Sequence, residues 1–186
     1  MSFVVSYLND LQATLSDLDL SKVDQAIEWF RETRDAGGSI YLCGNGGSAS
    51  SVSHITCDIL KGCSYCRDKK FRVVALTDNL ATITAYANDV GFSEVFVEQL
   101  KNFARPNDLV VAVSGSGNSP NVVNALEYAR TVPCRTIAFT GRDGGKLAPL
   151  GDLSIHVNQQ HMGRIEDAHM TMLHMIAYAF MDRAVE

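Results

Sequence analysis

Hydrophobic positions near the start of the chain recur with a helical period. Apolar residues lie three and four positions apart in VVSYLNDLQATL and in SKVDQAIEWFRETRDAGG. This spacing predicts two amphipathic helices between residues 3 and 36. The second helix has Ser21 as its expected N-cap, and the Gly37-Gly38 pair predicts its end.

After residue 38 the pattern changes to short apolar runs that end in glycine or polar residues. Five runs predict β-strands, and they lie in SIYLCGNGG, RVVALTD, DLVVAVSGSGNSP, RTIAFTG and LSIHVNQ. Helical patterns separate them, and the long segment RIEDAHMTMLHMIAYAFMDR closes the chain. Strands that alternate with helices predict an α/β fold, a three-layer α-β-α sandwich around a five-stranded parallel sheet. We expect one domain over residues 1–186, with residues 1–38 as an N-terminal helical extension.

Composition narrows the class of protein. The chain has 186 residues, of which 46% are hydrophobic and 20% charged, and its net charge is -5. The acidic balance argues against a nucleic-acid partner, which would require a basic surface. No apolar run approaches the ~18–20 residues of a membrane span, and the first residues lack the basic region of a signal peptide. We therefore expect a cytoplasmic protein without a membrane partner.

The five cysteines, an odd number, also fit a reducing compartment better than a disulfide framework. Cys63 and Cys66 form a C-x-x-C pair, which is compatible with a redox or zinc site. No second pair follows at zinc-site spacing, so incidental thiols are the favoured interpretation.

Two glycine- and serine-rich loops each follow a strand and precede a helix. They are residues 44–48 (GNGGS) and 114–119 (SGSGNS), and Ser119-Pro120 suits the start of a helix. Glycines allow the backbone to approach an anion, and helix N-termini donate N–H groups to it. Either loop alone could be a simple turn, but the pair favours a phosphate site. Neither loop contains Lys or Arg, so the expected donors are neutral, and the P-loop and dinucleotide patterns are absent.

Titratable residues are concentrated in two of the predicted helices. His54 and Asp58 are four residues apart and share one face, and the closing helix carries Glu166, His169 and His174. A lone pair of this kind is usually a solvated polar face. Imidazoles and carboxylates from two helices together favour a divalent metal site or acid–base chemistry. Glu166 and His174 lie ~12 Å apart along a straight helix, so His169 is a further candidate near the site.

Four segments carry a resemblance to a known family: CGNGGSAS, SGSGNSPNVVNALEYAR, TGRDGGKL and RIEDAH with the later histidine. They resemble the sugar isomerase (SIS) domain family, in particular its phosphoheptose isomerase branch, over nearly the whole chain. The resemblance implies the SIS fold and a homotetramer with active sites between subunits, for which residues 1–38 would supply oligomerisation helices. It also implies interconversion of sedoheptulose 7-phosphate and D-glycero-D-manno-heptose 7-phosphate through an enediol, in heptose or lipopolysaccharide biosynthesis.

The resemblance also implies roles for individual residues. The residues that would bind the sugar phosphate are Asn45, Gly46, Gly47, Ser48, Asp89, Ser114, Gly115, Ser116, Ser119 and Glu166. Those that would bind a divalent metal, expected to be zinc, are His54, Asp58, Glu166 and His174. Asp58 would be the general base and His174 the general acid. This chain departs from the branch at Asp58, where the branch has Glu, and at Glu166, where the branch has Gln.

Two other functions remain open from the sequence. A SIS protein could bind a sugar phosphate without chemistry, as a sensor or as a regulator that binds the replication initiator DnaA. A dinucleotide-binding enzyme is a further alternative, although its fingerprint is missing. A pure binding protein would have no need for the four acid–base residues, so their presence favours the isomerase.

Overall fold

A computed structural model describes residues 2–183 and 185. Over these residues the helices are α1 (Phe3–Ser16), α2 (Leu20–Asp35), α3 (Gly47–Cys57), α4 (Leu80–Asp89), α5 (Val97–Phe103), α6 (Pro120–Thr131) and α7 (Met162–Met181). The strands are β1 (Ser39–Gly44), β2 (Arg72–Ala75), β3 (Leu109–Ser114), β4 (Arg135–Thr140) and β5 (Leu153–His156). A π-helical turn, Asp58–Gly62, continues α3, and 3-10 turns cover Phe92–Glu94 and Ala148–Leu150.

The five strands form one parallel sheet in the order β2-β1-β3-β4-β5. Leu42 of β1 lies between Ala75 of β2 and Val111 of β3, which fixes the register at the centre of the sheet. The chain first moves from β1 to one edge and then returns to the other side, so the direction of winding changes between β1 and β3. Ligands of open parallel sheets bind at such a switch point, outside the carboxyl ends of the strands.

Alternate residues of the strands face two separate cores, as the two-residue period of a strand requires. Val111 and its neighbours on one face pack against α2, α3 and α7, and Val110 and its neighbours on the other face pack against α5 and α6. The prediction of a parallel sheet between two helical layers is therefore confirmed.

α2 belongs to the layer that contains α7, and α1 packs against α7. The Tyr7 hydroxyl donates to Asp167 at 2.7 Å, and Arg164 forms an ion pair with Asp10 at 2.6 Å. α2 begins at Leu20, two residues earlier than a cap at Ser21 would place its start. Asp19 is the N-cap residue and the Ser21 hydroxyl donates to its carboxylate, so the prediction of Ser21 as the cap is wrong. No described helix combines the length and the apolar content that a membrane crossing requires.

Candidate active site

The two glycine- and serine-rich loops meet at the switch point between β1 and β3. The first loop leaves β1 and enters α3 through Gly46, which has a φ of 55° and provides no side-chain cap. The amides of Asn45 and Asn121 exchange two hydrogen bonds of 2.8 and 2.9 Å, which join the first loop to the start of α6. The start of α3 has no side-chain cap, and its residues Gly46, Gly47 and Ser48 line the space between the loops.

The second loop directs three hydroxyls into the same space. The Ser114 Oγ lies 3.4 Å from the Oγ atoms of both Ser116 and Ser119. Ser119 holds the N-cap position before Pro120, as predicted, but its side chain does not cap the helix. Gly117 turns the loop with a φ of 65°, and a Cβ there would lie 2.1 Å from the carbonyl oxygen of Gly144. The turn therefore requires glycine.

A cavity of about 280 Å³, here called the loop pocket, lies between the loops. It is lined by Asn45, Gly46, Gly47, Ser48, Val113, Ser114, Gly115, Ser116, Ser119, Met162 and Glu166. Nine of the ten residues expected to contact the sugar phosphate are among them. The tenth, Asp89, lies exposed at the end of α4, where it accepts a hydrogen bond from Asn88. No Lys or Arg belongs to this lining in the described part of the chain.

Glu166 contributes the ionisable group of the loop pocket. A Cβ on Gly47 would lie 2.9 Å from the Glu166 Oε1, so the carboxylate rests against the first turn of α3. A negative group is favoured there by the positive end of the helix dipole. Glu166 thus faces the same backbone donors that we expect to bind a phosphate.

A second group of polar residues, the imidazole cluster, consists of His54, Asp58 and His174. The Nε2 atoms of the two histidines are 3.1 Å apart, and their rings meet edge to face. The Oδ2 of Asp58 lies 3.4 Å from the His54 Nε2 and 3.8 Å from the His174 Nε2. The Asp58 side chain is 25% exposed, and the histidine side chains are 52% and 41% exposed.

The dimensions of the imidazole cluster fit a metal ion. Ligand atoms about 2.1 Å from a tetrahedral ion lie about 3.4 Å from one another. The three separations in the cluster, 3.1, 3.4 and 3.8 Å, bracket that value. Two imidazole nitrogens and one carboxylate oxygen are also familiar zinc ligands, and three protein ligands would leave a fourth position open.

The structure separates Glu166 from the imidazole cluster. The cluster contains three of the four expected ligands, while Glu166 lies two turns earlier in α7, at the loop pocket. The cause is the helix itself, since eight residues of α-helix place Glu166 ~12 Å from His174. His169, the further candidate, is also outside the cluster: it is 1% exposed, and its Nε2 lies 3.1 Å from the carbonyl oxygen of Thr140.

Three residues of the site were missed by the sequence reasoning: Val113, which lines the loop pocket, Met162 and Asn121. Met162 covers the second loop so closely that a Cβ on Gly115 would lie 2.5 Å from its sulfur. Asn121 holds the first loop through its amide pair with Asn45. Asn121 directly follows Ser119-Pro120, so its position at a predicted helix start could have indicated that it belongs to the site. Met162 had no comparable signal.

The parallel sheet, the loop pocket at its switch point and the imidazole cluster beside it define an α/β protein with a polar site at the carboxyl ends of its strands. A model of the SIS domain family matches residues 5–141. The chain therefore belongs to the SIS domain family.

Within that family, the chain falls in the phosphoheptose isomerase-like branch. It is 37% identical to phosphoheptose isomerase of Helicobacter pylori over 82% of this chain and 79% of the relative. It is 35% identical to a probable phosphoheptose isomerase of Thermoplasma acidophilum over 91% of this chain and 93% of the relative. The solved structure of phosphoheptose isomerase from Neisseria gonorrhoeae superimposes with a TM-score of 0.89 at 30% identity, covering 98% of this chain and 97% of that one.

Proposed function

We propose that this protein is a phosphosugar isomerase that interconverts sedoheptulose 7-phosphate and D-glycero-D-manno-heptose 7-phosphate. The observation that carries the proposal is that the same two helices, α3 and α7, contribute residues to both the loop pocket and the imidazole cluster. α3 begins at the loop pocket and carries His54 in its last turn, and α7 carries Glu166 at the pocket and His174 in the imidazole cluster. An extended sugar phosphate could therefore place its phosphate between the loops and its carbonyl end towards the cluster.

Neutral donors hold the phosphate in this proposal. The hydroxyls of Ser48, Ser114, Ser116 and Ser119 line the loop pocket together with the uncapped start of α3. Backbone N–H groups at a helix N-terminus bind anions without a positively charged side chain. Glu166 occupies the side of the pocket nearest α7, where it would accept hydrogen bonds from sugar hydroxyls.

The imidazole cluster supplies the acid and the base. The Asp58 Oδ2 faces both histidines, which leaves its Oδ1 to take a proton from the carbon next to the carbonyl. The His174 imidazole donates a proton to the carbonyl oxygen, which gives the enediol. His174 then takes the proton of the adjacent hydroxyl while Asp58 returns its proton to the carbon that carried the carbonyl, and the product forms. General acid–base catalysis of this kind contributes about 10²–10⁴ to a rate.

We also propose that His54, Asp58 and His174 hold zinc; with its Nε2 on the ion, His174 would exchange protons through its other ring nitrogen, Nδ1. The ligand types and separations support this assignment, and the bound ion would supply Lewis-acid polarisation of the sugar carbonyl or hydroxyls. Glu166 is left out of the ligand set that we propose here.

The assembly that we propose is a cytoplasmic homotetramer, with residues 1–38 as its oligomerisation helices. α1 exposes Phe3, Val4 and Leu8, which are 76%, 73% and 52% exposed, on a helix that packs on α7 with other residues. A second copy of the chain is the simplest partner for such a surface.

The test uses the His54→Ala, His174→Ala double variant, with His161→Ala as a control that removes an exposed imidazole elsewhere. Isomerisation of sedoheptulose 7-phosphate is followed by ¹H NMR, and zinc is measured by elemental analysis. The double variant should lose both zinc and turnover, while the control keeps both. A double variant that keeps both would refute the proposed site. Wild-type protein that binds the substrate without turning it over would instead support the non-catalytic alternative.

A further inference from the structure

A second cavity lies at the other end of α7 from the loop pocket. Its volume is about 390 Å³, which is within the range of small-molecule sites. It is lined by Arg34, Cys63, Cys66, Arg67, Asp68, Lys69, Phe180, Arg183 and Val185, and we call it the arginine cavity. Arg34 precedes β1 and Lys69 precedes β2, so the cavity lies near the amino ends of these strands.

Positive charge dominates the arginine cavity although the chain is acidic overall. The lining has four cationic side chains and one acidic side chain, Asp68, whereas the whole chain has a net charge of -5. Asp35, just outside the lining, pairs with Lys69 and Arg34 at 2.8 Å each. The cations therefore still exceed the acids by two, and this excess of positive charge in a concave site favours an anionic ligand.

Arg34 is the unusual member of this set. Its side chain is 6% exposed, and its guanidinium packs beside the paired rings of Phe71 and Phe180, 5.2 and 5.3 Å from their centroids, which are themselves 5.0 Å apart. Its Nε donates to Asp35, but its Nη2 is buried without a hydrogen-bond partner in the described structure. Buried polar groups are nearly always paired, and an unpaired charged donor is costly.

The C-x-x-C pair does not account for this cavity. Burial raises the pKa of the Cys63 thiol to about 11, and the thiol donates to the carbonyl of Ala177. A thiol of this kind is a poor nucleophile and a poor metal ligand. The lining otherwise offers mainly the guanidinium and ammonium groups of its four cationic side chains.

We propose that the arginine cavity binds a small phosphate-bearing molecule, at a site separate from the loop pocket. Arg34, with its Nε on Asp35 and its buried Nη2 without a partner, would supply a charged donor from the cavity wall, held in place against the Phe71–Phe180 ring pair. Arg183 and Lys69, both exposed at the rim, would close on the remaining oxygens. The cavity and the loop pocket lie at opposite ends of α7, which is ~30 Å long, so one ligand cannot fill both.

The experiment measures pyrophosphate binding by isothermal titration calorimetry. All variants are made in the Ser116→Ala, Ser119→Ala background, which weakens the loop pocket. The Lys69→Gln, Arg183→Gln variant should bind pyrophosphate about ten-fold more weakly or worse, because charge-assisted hydrogen bonds are lost. The control is Lys22→Gln, Arg130→Gln, which removes the same charge elsewhere and should change the affinity by less than about two-fold at 0.15 M salt.

Arg34→Lys provides an independent check. It keeps the charge but loses the planar fork, so pyrophosphate binding should weaken while a urea melt shows a folded protein. The proposal is overturned if the background protein binds no pyrophosphate at millimolar concentration. It is also overturned if the rim variant and the control have the same affinity.

Discussion

The buried imidazole of His169 should make the protein lose stability in mild acid. Burial lowers the pKa of His169 to about 4, with His156 adding a smaller effect in the same direction and the bond to Thr140 opposing it. Because a carbonyl can only accept, the Nε2 carries the proton and the buried Nδ1 has no partner. The folded protein therefore resists protonation of this ring, while the unfolded chain takes up the proton at pH ~6.5.

The sign and size of the effect follow from linkage. A group whose folded pKa is depressed stabilises the fold fully above its unfolded pKa, and that contribution is lost as pH falls towards the folded pKa. For His169 the window runs from pH ~6.5 down to pH ~4. Between pH 7.5 and pH 4.5 the loss is about 2.5 kcal/mol of unfolding free energy, from 1.36 kcal/mol per pKa unit.

The assay is urea unfolding of wild-type protein and His169→Phe at the two pH values and one protein concentration. Phenylalanine has no titratable group and fits beside the Phe139 ring, which meets the imidazole edge to face. Wild-type protein should lose about 2.5 kcal/mol more than the variant on acidification. His161→Phe, which replaces an exposed imidazole, should follow wild type. Equal losses in wild type and His169→Phe would show that the buried ring does not control acid stability.

Three further predictions concern the loop pocket and the assembly. Ser116→Ala and Ser119→Ala should each weaken binding of sedoheptulose 7-phosphate by about 1–2 kcal/mol, measured by calorimetry, and unchanged affinity in the double variant would exclude these donors. Gly117→Ala should cost at least about 1–2 kcal/mol of stability in thermal unfolding because its φ is positive and Gly144 blocks a methyl group; an unchanged melting temperature would contradict this. Phe3→Gln with Leu8→Gln should lower the mass seen in sedimentation, and a wild-type mass of 20.3 kDa at micromolar concentration would exclude the proposed tetramer.

The fold was predictable because its signals are local. The strands are short apolar runs followed by polar residues, and their order along the chain already implied a parallel sheet. Element ends were less certain: the segment VFVEQLKNFA forms a helix only over Val97–Phe103, after a 3-10 turn. Ser21 shows the same limit, since the neighbouring Asp19 competes for the cap position and sequence alone does not decide between them.

The candidate site was predictable where it depends on the loops after β1 and β3 and on the single helical turn that joins His54 to Asp58. The two loops meet at one pocket because β1 and β3 are neighbours in the sheet, while the roles of their residues stay predictions. The separation of Glu166 from His174 follows from helix geometry. The sequence analysis nevertheless assigned both residues to one metal site, because the resemblance implied it. Met162 and Arg34 could not be foreseen, since their positions depend on packing between distant elements.

The absence of a side-chain cap at the start of α3 has a consequence for how the protein can be stabilised. A side-chain cap typically contributes ~1 kcal/mol to a helix, and here Gly46 provides none. Asp and Asn, the usual capping residues, cannot readily fill this position, because Gly46 has a φ of 55° and a ψ of -121°, whereas a capping side chain needs an extended backbone with negative φ. The backbone conformation of this glycine therefore keeps the start of α3 free of a side-chain cap. Single substitutions selected for heat tolerance should leave position 46 as glycine.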